Sequence, residues 1–238
     1  LSSRGRLYPK GSRGVLSSRA KFTRETPMTN PPQLEFFYDC SSPWTYFAFT
    51  RIIPIMEQLE LPIRWRPILV GGVFNTVNKE IYAQREQAFT NPGNKRKMDY
   101  YLKDLGDWAR LCGVTAIMPP GHPISAVKAM RGAFYAEEQG RLVPYSMAVF
   151  EHYWSGENAD ITSAAVLSAI CSCAGLDTDG FFQAINDQRY KDLLRANTDE
   201  LIERGGFGSP TIFINGDDMY FGNDRLPLVE FRLRQLLN

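Results

Sequence analysis

Short apolar runs near both ends of the chain predict strands, and the long section between them has the spacing of helices. Residues 33–38 form an aromatic run bounded by a proline and a polar cluster, which favours a strand. From 43 to 59 the apolar side chains recur every three or four positions, which predicts a helix that Pro54 is expected to kink. Residues 63–69 predict a second strand, and a strand–helix–strand unit of this kind pairs its strands in parallel through a right-handed crossover.

The middle of the chain, from about residue 79 to 204, is mostly helical in pattern. Examples of its segments with apolar faces are 100–111, 125–138, 143–153, 162–174 and 179–185. Thr211–Ile214 and 219–221 flank an Asn-Gly-Asp turn and predict a hairpin. Leu226–Leu237 predicts a closing helix, with Leu228, Phe231, Leu233 and Leu236 available for packing. Strands at both ends around a helical middle predict one sheet interrupted by a helical insert.

Charge and cysteine content narrow the class of protein. The 27 Lys and Arg residues nearly balance 26 Asp and Glu residues, so a strongly basic surface for nucleic acid is not expected. No apolar run reaches the roughly 18 to 20 residues of a membrane span. Four cysteines are too few for a disulfide scaffold, and buried free thiols in a reducing compartment are the better interpretation. We expect a cytoplasmic protein, with a mitochondrial or peroxisomal location left open for a eukaryotic source.

Residues 1–32 differ from the rest of the chain. They are rich in Ser, Arg, Gly and Pro and lack helical periodicity, so we expect them to lie outside the fold as a disordered or non-native basic arm. The composition resembles an organelle transit peptide, although the glycines and prolines oppose the amphipathic helix that such peptides form. The other interpretation is an extension added for expression or translated from upstream, with Met28 as the natural first residue.

Ser42 stands where the first strand meets the first helix. Pro43 suits the first helical position and keeps the residue before it out of the helical region, which makes Ser42 the N-cap. Its hydroxyl then lies beside unpaired backbone N–H groups at the positive end of the helix dipole, where an anion is stabilised. Taken alone, the pattern fits a helix cap as well as a functional residue.

A second Ser-Pro pair precedes the late hairpin. Residues 205–211 read Gly-Gly-Phe-Gly-Ser-Pro-Thr, and a proline at the entry of a central strand is unusual unless its peptide bond is cis or it lies at a strand edge. Together, Ser42-Pro43 and Ser209-Pro210 form a pair of turns about 170 residues apart.

Three motifs carry a family resemblance. They are Ser-Pro-Trp-Thr-Tyr at 42–46, Gly-Phe-Gly-Ser-Pro-Thr at 206–211 and Phe-Gly-Asn-Asp-Arg-Leu at 221–226. In this order they resemble the family of 2-hydroxychromene-2-carboxylate isomerases and kappa-class glutathione transferases, thioredoxin-like proteins related to DsbA. The resemblance implies an α/β, thioredoxin-like, four-stranded mixed sheet with an inserted all-helical domain. The expected parts are 33–78, the helical insert 79–204, and 205–238.

The resemblance also implies a glutathione site. Ser42 and Thr45 occupy the positions of the two cysteines of redox relatives, so disulfide exchange is not expected. Ser42 would donate a hydrogen bond to the glutathione thiolate, and Ser209 before Pro210 would pair with its cysteinyl part. Asn223 and Asp224 would hold the γ-glutamyl end, with a cap of the final helix as the alternative role for both.

A second substrate is expected between the sheet domain and the insert. By resemblance its carboxylate would meet Asn75, Asn91, Lys97 and Tyr100, although Lys95 and Arg96 compete with Lys97 and a solvated basic patch is the alternative. Asp107 stands where the family has Arg, which removes one anion contact. No metal is expected, because neither the cysteines nor His122 and His152 have metal-ligand spacing. A Ser, His and acid triad stays open, with neither histidine marked as a partner.

The leading expectation is therefore an enzyme, a glutathione-dependent cis-trans isomerase of aromatic catabolism acting on an unsaturated aromatic 2-oxo acid. Glutathione would add to the substrate, allow rotation and leave again. Asn223 favours the isomerase branch, since the kappa branch more often has Ser there. The alternatives are a kappa-like transferase or peroxidase and a non-catalytic thiol-peptide binding module. The expected partner is a small aromatic molecule, with a homodimer left open.

Overall fold

The computed structural model describes residues 30–77, 92–156 and 160–238. Four strands form one sheet: β1 (Leu34–Tyr38), β2 (Ile63–Pro67), β3 (Thr211–Ile214) and β4 (Asp218–Phe221). The strand order is β2-β1-β3-β4, with β1 parallel to β2, and with β3 antiparallel to both β1 and β4. The predicted four-stranded mixed sheet, built from both ends of the chain, is confirmed.

Nine α-helices lie in the described part of the chain. Two follow the first strands: α1 (Pro43–Gln58) and α2 (Val70–Val77). Then come α3 (Lys95–Cys112), α4 (Val127–Glu138), α5 (Leu142–Tyr153), α6 (Ala164–Ala174), α7 (Thr178–Ala184) and α8 (Gln188–Glu203), and α9 (Leu226–Leu237) closes the chain. The thioredoxin-like α/β fold predicted from the sequence is confirmed.

The central strand β1 separates two layers of core because its side chains alternate between faces. Phe36 and Tyr38 point to the face covered by α1 and the insert, where they belong to the large hydrophobic cluster. Phe37 points to the other face and packs with Phe213 and with Leu201 of α8. β1 is buried on both faces, as a central strand of a two-sided sheet should be.

Helix α8 covers the second face and also contacts α4 of the insert. A cluster of charges lies beneath it, in which Glu35 and Arg66 are buried. Glu35 of β1 pairs with Arg66 of β2 at 3.1 Å and with Arg204 at 2.7 Å, and Glu200 of α8 pairs with both arginines. Since α8 packs on the sheet as well as on the insert, the domain boundary at residue 204 stays a prediction.

Several details differ from the sequence expectations. Helix α2 was not predicted, whereas α8 lies inside the section predicted to be mostly helical, although no segment was named for it. Helix α1 continues through Pro54, which is exposed, so the kink at this residue stays a prediction. The packing prediction for α9 was wrong at Leu228 and Phe231, which are 51% and 61% exposed, because Leu226, Val229 and Leu233 form its buried face instead.

Candidate active site

Ser42 is the N-cap of α1. Its extended backbone, at φ −100° and ψ 121°, lets the side-chain oxygen accept the N–H of Thr45 at 3.3 Å, while its carbonyl accepts the N–H groups of Thr45 and Tyr46. Pro43 supplies the first helical residue and has no N–H to satisfy. Ser42 is half-buried, so its hydroxyl is within reach of a ligand at the positive end of the helix dipole.

The fold brings the two Ser-Pro motifs into direct contact. The Ser42 hydroxyl donates to the carbonyl of Ser209 at 3.1 Å, and the peptide bond from Ser209 to Pro210 is cis. The Ser209 side chain is buried, where its oxygen lies 2.7 Å from Thr45 Oγ1 and accepts the N–H of Asp39 at 3.0 Å. Four residues are thus joined in one hydrogen-bonded cluster: Asp39 just after β1, Ser42 and Thr45 at the start of α1, and Ser209 before the cis proline.

Two glycines before Ser209 are required by close packing. A Cβ added at Gly206 would lie 2.2 Å from the Leu201 side chain and 2.9 Å from the Leu201 carbonyl oxygen. At Gly208 an added Cβ would lie 2.7 Å from the ring of Phe221. The glycines of this motif therefore let the loop approach α8 and β4 closely enough to present Ser209 to Ser42.

Asp39 ties the active-site loop, residues 39–42 between β1 and α1, to the start of α2. Its carboxylate accepts the N–H of Ser41 at 2.8 Å, the hydroxyl of Ser41 at 2.9 Å and the N–H of Val70 at 2.8 Å. Burial raises the pKa of Asp39, and the hydrogen bonds from Ser41 and Val70 oppose that rise. The side chain acts as a buried anchor with three donors and does not face a ligand.

The third motif lies beside the late proline. The N–H of Gly222 donates to the Pro210 carbonyl at 3.1 Å, and Gly222 has a φ of +102°, which favours glycine. Asn223 is buried, with its backbone and side-chain oxygens accepting from Arg51 of α1 at 3.0 and 3.1 Å. Arg51 also lies over the Trp108 ring of α3 at 4.9 Å, so one arginine joins α1, α3 and this turn.

Asp224 is the exposed acid of the same turn. Its carboxylate pairs with Arg225 at 3.0 Å and stays at the surface, where an ammonium group can reach it. The cap of α9 is Arg225, without a side-chain capping bond, so the alternative role of Asn223 and Asp224 as a cap of the final helix was wrong. The ligand roles of both residues stay predictions.

The residues expected to hold the second substrate are spread over two helices. Asn75 is exposed on α2, and Lys97 and Tyr100 are exposed on α3, whereas Asn91 lies outside the described residues. Among the described residues, no hydrogen bond or ring contact joins these three to Ser42. Helix α3 itself lies close by, since Tyr101 meets the ring of Trp44, the second residue of α1, at 5.7 Å.

Arg51 and Trp154 are the positioning groups that the sequence did not reveal. The indole N–H of Trp154, just after α5, donates to the Cys40 carbonyl at 2.9 Å and so ties the insert to the active-site loop. Nothing in the local pattern marks either residue, because each acts on a partner more than 100 positions away. Cys40 itself is a buried thiol, and burial raises its pKa, as expected for an inert packing residue.

Other kinds of site find little support in the described residues. They contain no cluster of ligating side chains that suits a metal ion, and no helix among them is long and apolar enough to cross a membrane. Cys112 and Cys173 are not buried, so the prediction of buried thiols holds for Cys40 and Cys171. His122 pairs with the Tyr153 hydroxyl at 2.8 Å and His152 with a backbone carbonyl, so neither completes a triad with Ser42.

Comparison with known proteins shows the family of this chain. A model of the DSBA-like thioredoxin domain matches residues 33–234, almost the whole described chain. The protein belongs to the DSBA-like thioredoxin family. Its relatives include 2-hydroxychromene-2-carboxylate isomerase of Pseudomonas putida, 28% identical over 85% of this chain and 95% of the relative. Another is glutathione S-transferase kappa 1 of Rattus norvegicus, which is 26% identical over 85% of this chain and 91% of the relative.

Solved structures give the same picture for this DSBA-like protein. A 2-hydroxychromene-2-carboxylate isomerase superposes with a TM-score of 0.70 at 26% identity, covering 86% of this chain and 95% of that one. A probable DsbA oxidoreductase from Streptomyces coelicolor superposes with a TM-score of 0.64 at 18% identity, over 87% and 90% of the two chains, and shows the shared fold. The relatives are isomerases and glutathione transferases, so the chain is grouped with enzymes of small-molecule chemistry.

Proposed function

We propose that this protein is a glutathione-dependent isomerase of the 2-hydroxychromene-2-carboxylate isomerase type. The observation that carries the proposal is the contact of the Ser42 hydroxyl, at the N-terminus of α1, with the carbonyl that precedes a cis proline. Relatives named as isomerases and as glutathione transferases support it. The substrate class proposed is an unsaturated aromatic 2-oxo acid, in aromatic catabolism.

The residues at the site fit glutathione. The main-chain N–H of Ser209 has no acceptor among the described residues, so it is available to pair with a peptide carbonyl. The exposed Asp224 carboxylate suits the ammonium of a γ-glutamyl group. Thr45 replaces the second cysteine of redox relatives, so a thiol bound here meets hydroxyl groups only. When bound, glutathione supplies the nucleophilic sulfur that adds reversibly to the substrate.

The role of Ser42 follows from its position. A free cysteine thiol has a pKa of about 8.5, and a hydroxyl donor beside a helix N-terminus favours the charged form. Ser42 would hold the sulfur as a thiolate near neutral pH, while the N-terminal turn of α1 adds its dipole. Asn75, Asn91, Lys97 and Tyr100 are proposed to hold the carboxylate end of the second substrate.

The test compares Ser42→Ala with Ser41→Ala. The ultraviolet thiolate band of bound glutathione reports its pKa, which we expect to rise by at least about one unit in Ser42→Ala, with a loss of roughly tenfold or more in kcat/KM. Ser41 is the matched control because its hydroxyl donates to Asp39. An unchanged thiolate band in Ser42→Ala would count against the mechanism and favour a non-catalytic binding module.

A kappa-like transferase or peroxidase is the second candidate, favoured by the relatives named glutathione S-transferase kappa. Turnover with less than one equivalent of glutathione separates the two. An isomerase converts many equivalents of substrate while the thiol concentration stays constant, whereas a transferase or peroxidase stops when the thiol is consumed. A homodimer and a cytoplasmic location remain part of the proposal.

A further inference from the structure

The Ser42 hydroxyl has one proton, and that proton is already in use. It is donated to the Ser209 carbonyl at 3.1 Å, while the oxygen of Ser42 accepts the Thr45 N–H. A hydroxyl has a single O–H to donate. Ser42 can therefore stabilise a thiolate only by withdrawing its proton from the Ser209 carbonyl.

The Ser209 carbonyl is held in this position. The buried side chain of Ser209 is fixed between Thr45 Oγ1 and the N–H of Asp39, and the next carbonyl, of Pro210, accepts the N–H of Gly222. Because the groups on either side of it are held by these hydrogen bonds, the Ser209 carbonyl cannot rotate towards solvent. When it loses the Ser42 proton it needs another donor, since an unpaired polar group in a part-buried site is unfavourable.

We propose that the Ser209 carbonyl makes thiol activation depend on a peptide N–H in the ligand. This inference rests on the proposed function and names the ligand class of the same site: thiols with an amide N–H on the carbon next to the CH₂–SH group, as in a cysteinyl peptide. That N–H takes over the carbonyl and releases the Ser42 hydroxyl to the sulfur. With thiols that lack this N–H, the Ser42 hydroxyl stays hydrogen-bonded to the Ser209 carbonyl and the thiol stays protonated.

The hydrogen bonds balance in this exchange. Before it, Ser42 donates to Ser209, and the ligand thiol is neutral. Afterwards, the ligand amide donates to Ser209, Ser42 donates to the thiolate, and the thiol proton has passed to solvent. No donor or acceptor is lost in the site, so deprotonation costs less for a peptide thiol than for a thiol without the N–H.

The experiment uses glutathione and its depsipeptide analogue, in which an ester oxygen replaces the cysteinyl N–H and both arms are kept. The pKa of each bound thiol is measured from the thiolate absorbance at saturation and compared with its value in free solution. We expect the shift for glutathione to exceed that of the depsipeptide by at least about one unit, a tenfold change in the thiolate-to-thiol ratio. In Ser42→Ala the two shifts should become equal, and Ser41→Ala should keep the difference.

The outcomes separate this inference from the proposed function. Equal lowering for both ligands in the unmodified protein overturns the inference and leaves the role of Ser42 intact. No lowering for either ligand overturns both. Affinity measured from pH 5 to 9 completes the test: a depsipeptide that binds much more weakly than glutathione at every pH also overturns the inference, because a neutral thiol leaves Ser42 on the carbonyl.

Discussion

Asp39 anchors the chain between β1 and α1, where the candidate site lies, to the start of α2. Replacing it with Ala removes a buried carboxylate that accepts two part-buried backbone N–H groups, those of Ser41 and Val70. We expect a loss of about 2–6 kcal/mol in the free energy of unfolding, measured by urea titration, because each of the two unsatisfied donors costs about 1–3 kcal/mol. Ser41→Ala, which removes one hydroxyl donor, should cost about 1 kcal/mol. Equal losses would mean that Asp39 is not an anchor.

Lys97 and Lys95 offer a matched pair for the proposed substrate carboxylate. Lys95 is paired with Asp99 at 2.7 Å on the surface of α3, and Lys97 is exposed two positions further on. If Lys97 binds the carboxylate, Lys97→Ala should raise KM for the 2-oxo acid roughly three- to tenfold with little change in kcat. Lys95→Ala should leave both near their original values. The reverse result would assign the contact to Lys95.

At the scale of single residues, the roles of some site residues could be predicted from their neighbours in sequence, whereas the roles of others depend on contacts with distant parts of the chain. Ser42 could be identified because the proline after it fixes the cap, and Pro210 because prolines rarely begin central strands. The structural role of Asn223 could not be foreseen, since its hydrogen-bond partner is Arg51, 172 positions away. A motif in the sequence names the residues of a turn, but not which of them face inward.

At the scale of elements, the two helices for which no segment was named, α2 and α8, are those that tertiary contacts stabilise. The sequence of α2, Val-Gly-Gly-Val-Phe-Asn-Thr-Val, contains two glycines and reads as a loop. It is helical here because Asp39 accepts the N–H of Val70 and because Gly72 allows close approach to Thr198 of α8. In α8 the buried stripe is narrow, with Tyr190, Leu194 and Leu201 among mostly charged neighbours, so its periodicity is weak.

The ion cluster beneath α8 makes stability depend on pH. Partial burial of Glu200 would raise its pKa, but hydrogen bonds and charges from Arg66 and Arg204 outweigh it, so the pKa is lowered. A lowered carboxyl pKa contributes stability above the unfolded value, near 4.5, and this contribution is lost as pH falls through the folded value. Because the side chain is 40% exposed, solvent screening limits it to about 1 kcal/mol.

Glu200→Gln tests this linkage. Urea titrations from pH 7 to pH 3 should give a variant that is less stable than the original protein at pH 7, by about 1 kcal/mol. The gap should narrow as the pH falls below 4.5, since the original carboxylate becomes protonated as well. A gap that stays constant over this range would show that the effect of the substitution is not electrostatic.

Arg51 connects helix α1 with the turn that carries Asp224. Arg51→Met keeps an unbranched side chain beside Trp108 but removes the guanidinium, and with it the cation–π contact and the two bonds to Asn223. We expect KM for glutathione to rise about threefold or more while kcat changes less, measured well below the unfolding temperature, because the turn is no longer fixed. Arg51→Lys keeps the charge with a different donor geometry and should recover part of the loss. Unchanged KM in Arg51→Met would remove the turn from the glutathione site.

At the scale of the whole molecule, the helical insert shares its core with the sheet. Phe150 of α5 stacks on Tyr46 at 5.0 Å between ring centroids and lies 5.4 Å from Phe49, both on α1. It also meets the ring of Tyr38 on β1 at 6.4 Å. The sequence predicts the insert as a separate helical part, and its pattern does not tell which apolar faces meet. The shared cluster means that the insert cannot unfold alone without exposing the core of the sheet.

This leads to a prediction about cooperativity. We expect a single thermal transition, with equal calorimetric and van't Hoff enthalpies, because one cluster spans both parts. Phe150→Ala should cost about 3–5 kcal/mol and lower the Tm by roughly 6–20 °C while the transition stays single. Leu111→Ala is the control, since Leu111 is 69% exposed on α3 and its loss should leave the Tm almost unchanged. Two transitions, of which Phe150→Ala moves only one, would mean that the insert is an independent domain and that the contact of Trp154 with Cys40 does not couple it to the active-site loop.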